Sequence, residues 1–269
     1  MTISIVTGAS SGLGRNIAKR LSKKGHTVYV VARSKDKLKE LQKECNINKG
    51  KIKIVSGDLS DEKFRKRLIN TVLKNEKKIN YLINNAGFGR AQDFSKEPYQ
   101  EMVNMFNLNV LGYAHLTQLA IIAMKRRKKG RIINVSSVVN YTPLPYFAIY
   151  NATKAAISNM TKSLYYELEG TGVSISAVHP ARMKTKFAHR AYDCYKGKHS
   201  KDCIKKFNKL AGDSDKVAKF IVRKLDSKKM FMFPTFRAKI LHLLYYIPFL
   251  IHLSTKYTLT KQARKDLKI

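Results

Sequence analysis

At 269 residues, with 44% hydrophobic and 26% charged residues and no low-complexity window, the chain is neither disordered nor fibrous and suits one α/β domain, or two small ones, with ample core. Its formal net charge of +35 exceeds what solubility needs and draws anionic partners: an acidic membrane, nucleic acid, or phosphorylated or carboxylate substrates. Cys45, Cys194 and Cys203 lack C-x-x-C spacing and a metal-type His cluster, so no metal site is expected, and an odd count points to free thiols in a reducing compartment.

Thr2 to Thr7 reads as a buried strand, starting so near residue 1 that no signal peptide or N-terminal anchor is expected and a cytoplasmic location follows. It runs into Gly8-Ala-Ser-Ser-Gly12-Leu-Gly14, after which a helical pattern (Ile17, Ala18, Leu21) continues to about Lys24. Strand, glycine turn and helix together aim backbone N–H groups and a helix N-terminus at a pyrophosphate. The spacing is G-x-x-x-G-x-G, not the common G-x-G-x-x-G, and a glycine turn without a ligand is the bland alternative.

Thr7 to Gly14 is similar to the cofactor loop of the short-chain dehydrogenases/reductases. The resemblance implies an α/β fold, a Rossmann-type doubly wound parallel sheet with helices on both faces. It also implies a dinucleotide held by Gly8, Ser10, Ser11, Gly12, Leu13 and Gly14. His26 to Ala32 is the next strand. Ala32 stands 18 residues past Gly14, near where a carboxylate would hold a ribose 2′-hydroxyl, and Arg33 and Lys35 offer positive charge instead. The missing carboxylate favours NADP(H) over NAD, against the alternative of a solvated basic loop.

A charged helix over Lys35–Glu44 and a third strand over Lys51–Val55 lead to Asp58 and Leu59, which the resemblance places at the adenine. After a helix over about Asp61–Asn75, the strand Ile79–Ile83 delivers Asn84-Asn85-Ala86-Gly87, similar to the family's N-N-A-G turn beneath the cofactor, with Asn85 partly scaffolding. A long helical stretch spans about Pro98–Lys125. Within it the resemblance sets Asn109 at a helix irregularity, holding a water beside the catalytic lysine; the plain alternative is a polar residue on a helix flank. Lys125 to Lys129 reads as a solvated helix end.

Arg131 to Ser137 is near-continuously apolar, as in buried parallel sheets. Thirteen residues on, Tyr150 and Lys154 are four apart and share a helix face. A phenol is a poor acid at neutral pH, and a cation beside it stabilises the phenolate, so the pair makes a general acid/base with Ser137 free to hydrogen-bond the reacting oxygen. Chance pairs of this kind are common in amphipathic helices; the upstream motifs give this one its weight. In the family the lysine also bonds the nicotinamide ribose, and copies associate through this helix and the one before it, which implies a homodimer or homotetramer. Ala152, Ala155 and Ala156 are small enough for close packing. The loop Val138–Ile149, bearing Tyr141, Tyr146 and Phe147, is expected to wall a substrate pocket.

Val173 to Val178 is a sixth strand, followed by His179 to Thr185. Pro180 and Thr185 match the family's nicotinamide contacts, whereas Ala181 replaces a glycine and Met183 a Val or Ile; His179 reads as a packed strand-end histidine. Phe187–Ala211 is polar, basic and aperiodic and takes the place of the substrate lid. A helix over Ser214–Leu225 and a short strand over Met230–Phe233 complete a catalytic domain of residues 1–235. In the remaining 236–269, the apolar run Ile240–Leu253, broken by Pro248 and flanked by basic residues, is too short to span a bilayer; it either packs on protein or lies in an anionic membrane interface. The expected activity is interconversion of a small-molecule carbonyl and alcohol by NADP(H), with a hydrophobic or lipid-like substrate. A dinucleotide-binding regulator gripping nucleic acid, and a membrane scaffold without turnover, are the competing classes; both leave Ser137, Tyr150 and Lys154 unexplained.

Overall fold

A computed structural model of the chain describes residues 1–193 and 197–246, without the side chains of 197–199. The strands are β1 Ile3–Thr7, β2 Thr27–Ala32, β3 Ile52–Ser56, β4 Tyr81–Asn84, β5 Gly130–Val135, β6 Val173–Val178 and β7 Phe231–Met232. They form a seven-stranded sheet in the order β3-β2-β1-β4-β5-β6-β7, with every pairing parallel. Between them run α1 Gly12–Lys23, α2 Lys35–Cys45, α3 Glu62–Glu76, α4 Tyr99–Phe106, α5 Gly112–Lys125, α6 Ala148–Glu167, α7 Phe187–Ala191, α8 Gly197–Lys209 and α9 Ser214–Arg223; α10 Phe236–Leu244 follows the sheet.

Parallel strands need helical crossovers, and the crossovers cover both faces of the sheet. Successive strand residues therefore enter opposite cores. Val6, Ile83 and Ile133 join α1, α2 and α9 through Leu13, Ile17, Leu38 and Ile221. Their neighbours Ile5, Leu82 and Ile132 join α3 and α5 through Leu68, Val72, Leu116 and Ala120. That requirement explains the near-continuous apolar strands. The helix starts are marked locally: Asp61 caps α3 by accepting from Lys63 N at 2.9 Å, and Asp213 caps α9 by accepting from Asp215 N at 2.7 Å. Asp215 in turn pairs with Arg20, with Arg20 Nε donating at 2.8 Å, and clamps α9 onto α1.

The helical run over Pro98–Lys125 carries the irregularity that the resemblance implies at Asn109, a π-helical turn over Asn107–Leu111 that separates α4 from α5. Another stretch differs from the sequence-based expectation. The segment Phe187–Ala211, expected to be aperiodic, carries α7 and α8. Among the described residues its buried apolar positions are Ala188, Ala191, Cys203 and Phe207, spaced three and four apart on two separate helices rather than as one continuous repeat. Cys45 is free and buried, and Cys203 is buried. Cys194 and the later part of the apolar run, from residue 247 through Pro248 to the end, lie outside the described residues. Among the described residues no helix is long and apolar enough to cross a membrane.

Candidate active site

The chain leaves β1 and steps outward through β2 and β3, then returns to place β4 on the other side of β1. The reversal opens a crevice at the carboxyl ends of β1 and β4, where the glycine turn and Asn84–Gly87 emerge side by side. Gly8 and Gly12 adopt positive φ, 66° and 53°, and a Cβ on Gly14 would run into the Gly8 carbonyl. The turn is stitched to β4 by Thr7, whose hydroxyl accepts from Asn85 N and Ala86 N at 2.8 and 3.0 Å, while Asn85 Nδ2 donates to Thr7 O at 2.9 Å. Asn85 thus serves as scaffolding. Ser11 makes no side-chain cap on α1 and the first turn holds no acidic residue, so the positive end of that helix is open to an anion. These features fit a dinucleotide pyrophosphate. Ser10, Ser11 and Gly12 line the hollow in front of the turn, whereas the Leu13 side chain is 4% exposed and packs into the core, leaving only its backbone for a ligand.

At the end of β2, Ala32 is followed by Arg33, which is 80% exposed and 4.0 Å from Asp58. Asp58 accepts from Ser60 N and its hydroxyl at 2.9 and 2.8 Å, and the buried Leu59 accepts from Arg65 Nη1 at 2.6 Å. No carboxylate occupies position 32. Both sequence-selected positions after β6 are held locally: Pro180 O accepts from Val138 N at 3.2 Å and Thr185 Oγ1 from Phe187 N at 3.3 Å, and Thr185 adjoins the glycine turn, since a Cβ on Gly12 would lie 2.9 Å from its Cγ2.

Ser137, Tyr150, Lys154 and Asn109 come together where β5, α6 and the π-helical turn meet. Ser136 and Ser137 divide their work. The Ser136 hydroxyl is buried against Lys154 O and Ser158 Oγ, at 2.9 and 2.8 Å, and clasps β5 to α6. Ser137 lies close enough to the phenol of Tyr150 to favour its ionised form. The Lys154 ammonium, 4% exposed, donates to Val135 O at 2.9 Å and lies 5.8 Å from the Tyr150 ring centre and 5.3 Å from that of Tyr113. Asn109 is fully buried: Oδ1 accepts from Phe88 N at 3.1 Å, and Nδ2 donates to Phe88 O and Thr153 Oγ1 at 2.8 and 3.1 Å. Gly87 adjoins it, since a Cβ there would lie 2.9 Å from Asn109 Oδ1 and 3.7 Å from Lys154 Nζ.

The Lys154 amine donates to a backbone carbonyl, and burial is the largest influence on the ionisation of both groups. Desolvation holds Tyr150 above the ordinary phenol range, opposed by Ser137, and pushes Lys154 down to about 8.

The aromatic loop also divides. Phe147 is buried against Tyr150 at 6.2 Å, with Phe187 at 5.3 Å from the same ring, while Leu144, Ala191 and Tyr192 complete an apolar cluster around the phenol. Tyr141, expected in that wall, turns the other way and packs on His179 and His242 at 4.9 and 4.5 Å. Tyr146 has a positive φ of 66°, and its carbonyl accepts from Gln92 N at 2.8 Å. His179 is fully buried, and desolvation lowers its pKa to about 4, as suits a packed strand-end histidine. Sequence reading missed Phe187, Tyr192, Tyr113 and Thr153; the neighbouring motifs carry no sign of them because folding alone brings them to the site.

The buried Lys154 has a testable cost. Its folded pKa of about 8 lies below the ordinary 10.5, so between these values the unfolded chain holds the extra proton and stability rises with pH. Lys154→Met should raise unfolding stability at pH 7 by roughly 1–3 kcal/mol, and the gain should vanish towards pH 10.5. Denaturant melts at the two pH values measure it, and a gain independent of pH would remove the electrostatic explanation.

A sequence model described as short chain dehydrogenase matches residues 2–195. An uncharacterized oxidoreductase of Staphylococcus epidermidis is 32% identical over 183 residues, covering 68% of this chain and 78% of that one. The very-long-chain 3-oxoacyl-CoA reductase of Homo sapiens is 32% identical over 189 residues, covering 68% of this chain and 60% of the human protein. In fold the chain resembles a short chain dehydrogenase/reductase of Burkholderia phymatum in complex with NAD, with a TM-score of 0.84, 20% identity and coverage of 93% and 95%. A short-chain dehydrogenase of Sphingobium yanoikuyae in complex with NADPH gives a TM-score of 0.79 at 24% identity, with 94% and 96% covered. With the family pattern matched across most of its length, this chain belongs to the short-chain dehydrogenases/reductases.

Proposed function

We propose that the chain is an NADP(H)-dependent oxidoreductase that interconverts a ketone or aldehyde and an alcohol, with Tyr150 as general acid/base. The grouping of Ser137, Tyr150 and Lys154 at one crevice carries this reading. Hydride transfer is the chemistry that the bound dinucleotide would supply. The glycine turn, Asp58, Leu59, Asn85–Gly87, Pro180 and Thr185 would hold it, with Arg33 at the 2′-phosphate. Ser137 and Tyr150 would polarise the substrate oxygen by hydrogen bonding. A phenol held above its usual pKa keeps its proton at neutral pH, the form that carbonyl reduction consumes. Lys154 would stabilise the phenolate left behind, and Asn109 would position the water that restores the proton.

Apolar side chains around Tyr150 favour a hydrophobic, lipid-like substrate, and two relatives named as very-long-chain 3-oxoacyl-CoA reductases support that class. Exposed Phe106 and Leu111 on the α4–α5 side support association of copies into a dimer or tetramer. An anionic membrane surface is the favoured location. Phe236, Ile240 and Leu243 form an exposed stripe on α10, beside the exposed Arg237 and Lys239.

Three outcomes test these assignments. Tyr150→Phe should lower turnover of apolar ketones and 3-oxoacyl thioesters roughly a hundredfold or more while leaving NADPH affinity unchanged; retention of a tenth of the rate would exclude the phenol as acid. NADPH should bind at least about tenfold, or 1.4 kcal/mol, more tightly than NADH, and Arg33→Ala should erase most of that gap. Calorimetry reading equal affinities in the unaltered protein would end the assignment of Arg33. The full chain should pellet with vesicles containing acidic phospholipid and partly resist salt, whereas Ile240→Asp/Leu243→Asp should release with salt. A full chain left in the supernatant at low salt refutes the membrane reading.

A further inference from the structure

A cavity of about 780 Å³ lies between the glycine turn and the lid. Arg15 and Lys37 line it from α1 and α2, and Lys184, Lys186, Lys205 and Lys209 from the loop after β6 and from α8, against the one carboxylate of Glu40. The two sides are differently committed. Arg15 is tied down, donating to Lys37 O at 3.1 Å and pairing with Glu44. Among the described residues none of the four lid-side lysines has an ion pair.

These lysines are also aimed. Lys205 and Lys209 are four apart on α8 and share one face, while Cys203 and Phe207 on the opposite face are 2% and 7% exposed. The Phe207 ring is held by Phe187 and Tyr192 at 6.1 and 6.2 Å, with the Arg182 guanidinium stacked 4.7 Å from its centre. Packing therefore directs the cationic face towards the open N-terminus of α1. Unpaired cations around one hollow repel one another, and an anion entering it removes that repulsion. The dinucleotide proposed above needs the glycine turn and the β2 end, and leaves the α8 lysines without a role.

We infer that Lys205 and Lys209, with Lys184 and Lys186, form a second phosphate subsite that closes α8 over a phosphate ester. Two sources carry that chemistry: the phosphates of the dinucleotide, in which case the inference rests on the proposed cofactor, or a phosphate on the handle of a carrier-linked acyl substrate. In both cases the lid would shut on charge, independently of the apolar contacts around Tyr150.

Calorimetric titrations of the full chain separate these sources. NADPH is titrated alone, and coenzyme A is titrated into protein saturated with NADP⁺, each at low and high salt. Lys205→Gln/Lys209→Gln should weaken one of the two ligands roughly tenfold at low salt, with the difference fading at high salt. Lys63→Gln/Lys74→Gln removes the same charge from exposed positions on α3 and should not reproduce the loss. A loss for NADPH assigns the subsite to the dinucleotide, and a loss confined to coenzyme A assigns it to the substrate handle. The inference is overturned if the α8 variant binds both ligands within about twofold of the unaltered chain, or if the α3 variant loses as much. Unaltered protein that binds neither NADPH nor NADH would sink the cofactor reading instead, and coenzyme A titrated into the unsaturated protein would then test the subsite alone.

Discussion

A parallel sheet covered on both faces has only its strand ends to offer a ligand. In this chain that constraint is complete, because Ile5 and Val6, or Ile132 and Ile133, turn into opposite cores and both are fully buried. Chemistry is thereby confined to the carboxyl edge, and the reversal of strand order between β1 and β4 opens that edge at one point. The Thr7 hydroxyl closes the seam there by accepting from two backbone N–H groups of the β4 turn. The geometry of the glycine turn follows from that seam, since Gly14 must pass against Gly8 with no side chain between them.

What could be read in advance was whatever local chemistry dictates. The glycines of the first turn, the missing carboxylate at position 32 and the four-residue interval from Tyr150 to Lys154 are short-range patterns, and the fold sets each at the crevice. Ser137 could be separated from Ser136 by strand-end position, and Ser136 is indeed spent on the clasp to α6. Features that depend on distant segments were not legible. Nothing in Phe187 or Tyr192 announces a place around Tyr150, and Tyr141 looked equivalent to Phe147 although the two turn to opposite sides of the loop. The direction of the Lys154 amine belongs to the same class. Its carbonyl partner is supplied by β5, and no local pattern around Lys154 announces that strand as its neighbour.

The lid shows why charge can hide structure. Among the described residues α8 is anchored by few inward side chains, and its sequence is dominated by lysines whose positions matter only once the opposite wall of the cavity is in place. The π-helical turn is a different case. The family resemblance implies the irregularity at Asn109, whereas the bonds of its amide to the Phe88 backbone appear only in the fold.

The packing of α10 has a consequence for how the molecule opens. The His242 ring stacks on Phe233 at 4.5 Å and meets Tyr141 at the same distance, while Tyr141 and His179 share a contact at 3.3 Å and His179 Nδ1 lies 3.2 Å from Ser137 O. Helix, loop and strand end are thus joined by rings. Peeling α10 away would uncover the Tyr141 face and expose the support of Ser137 to water, so segment 233–246 and loop 137–141 form one cooperative unit in local unfolding. The helix therefore shares the fate of the loop that begins at Ser137.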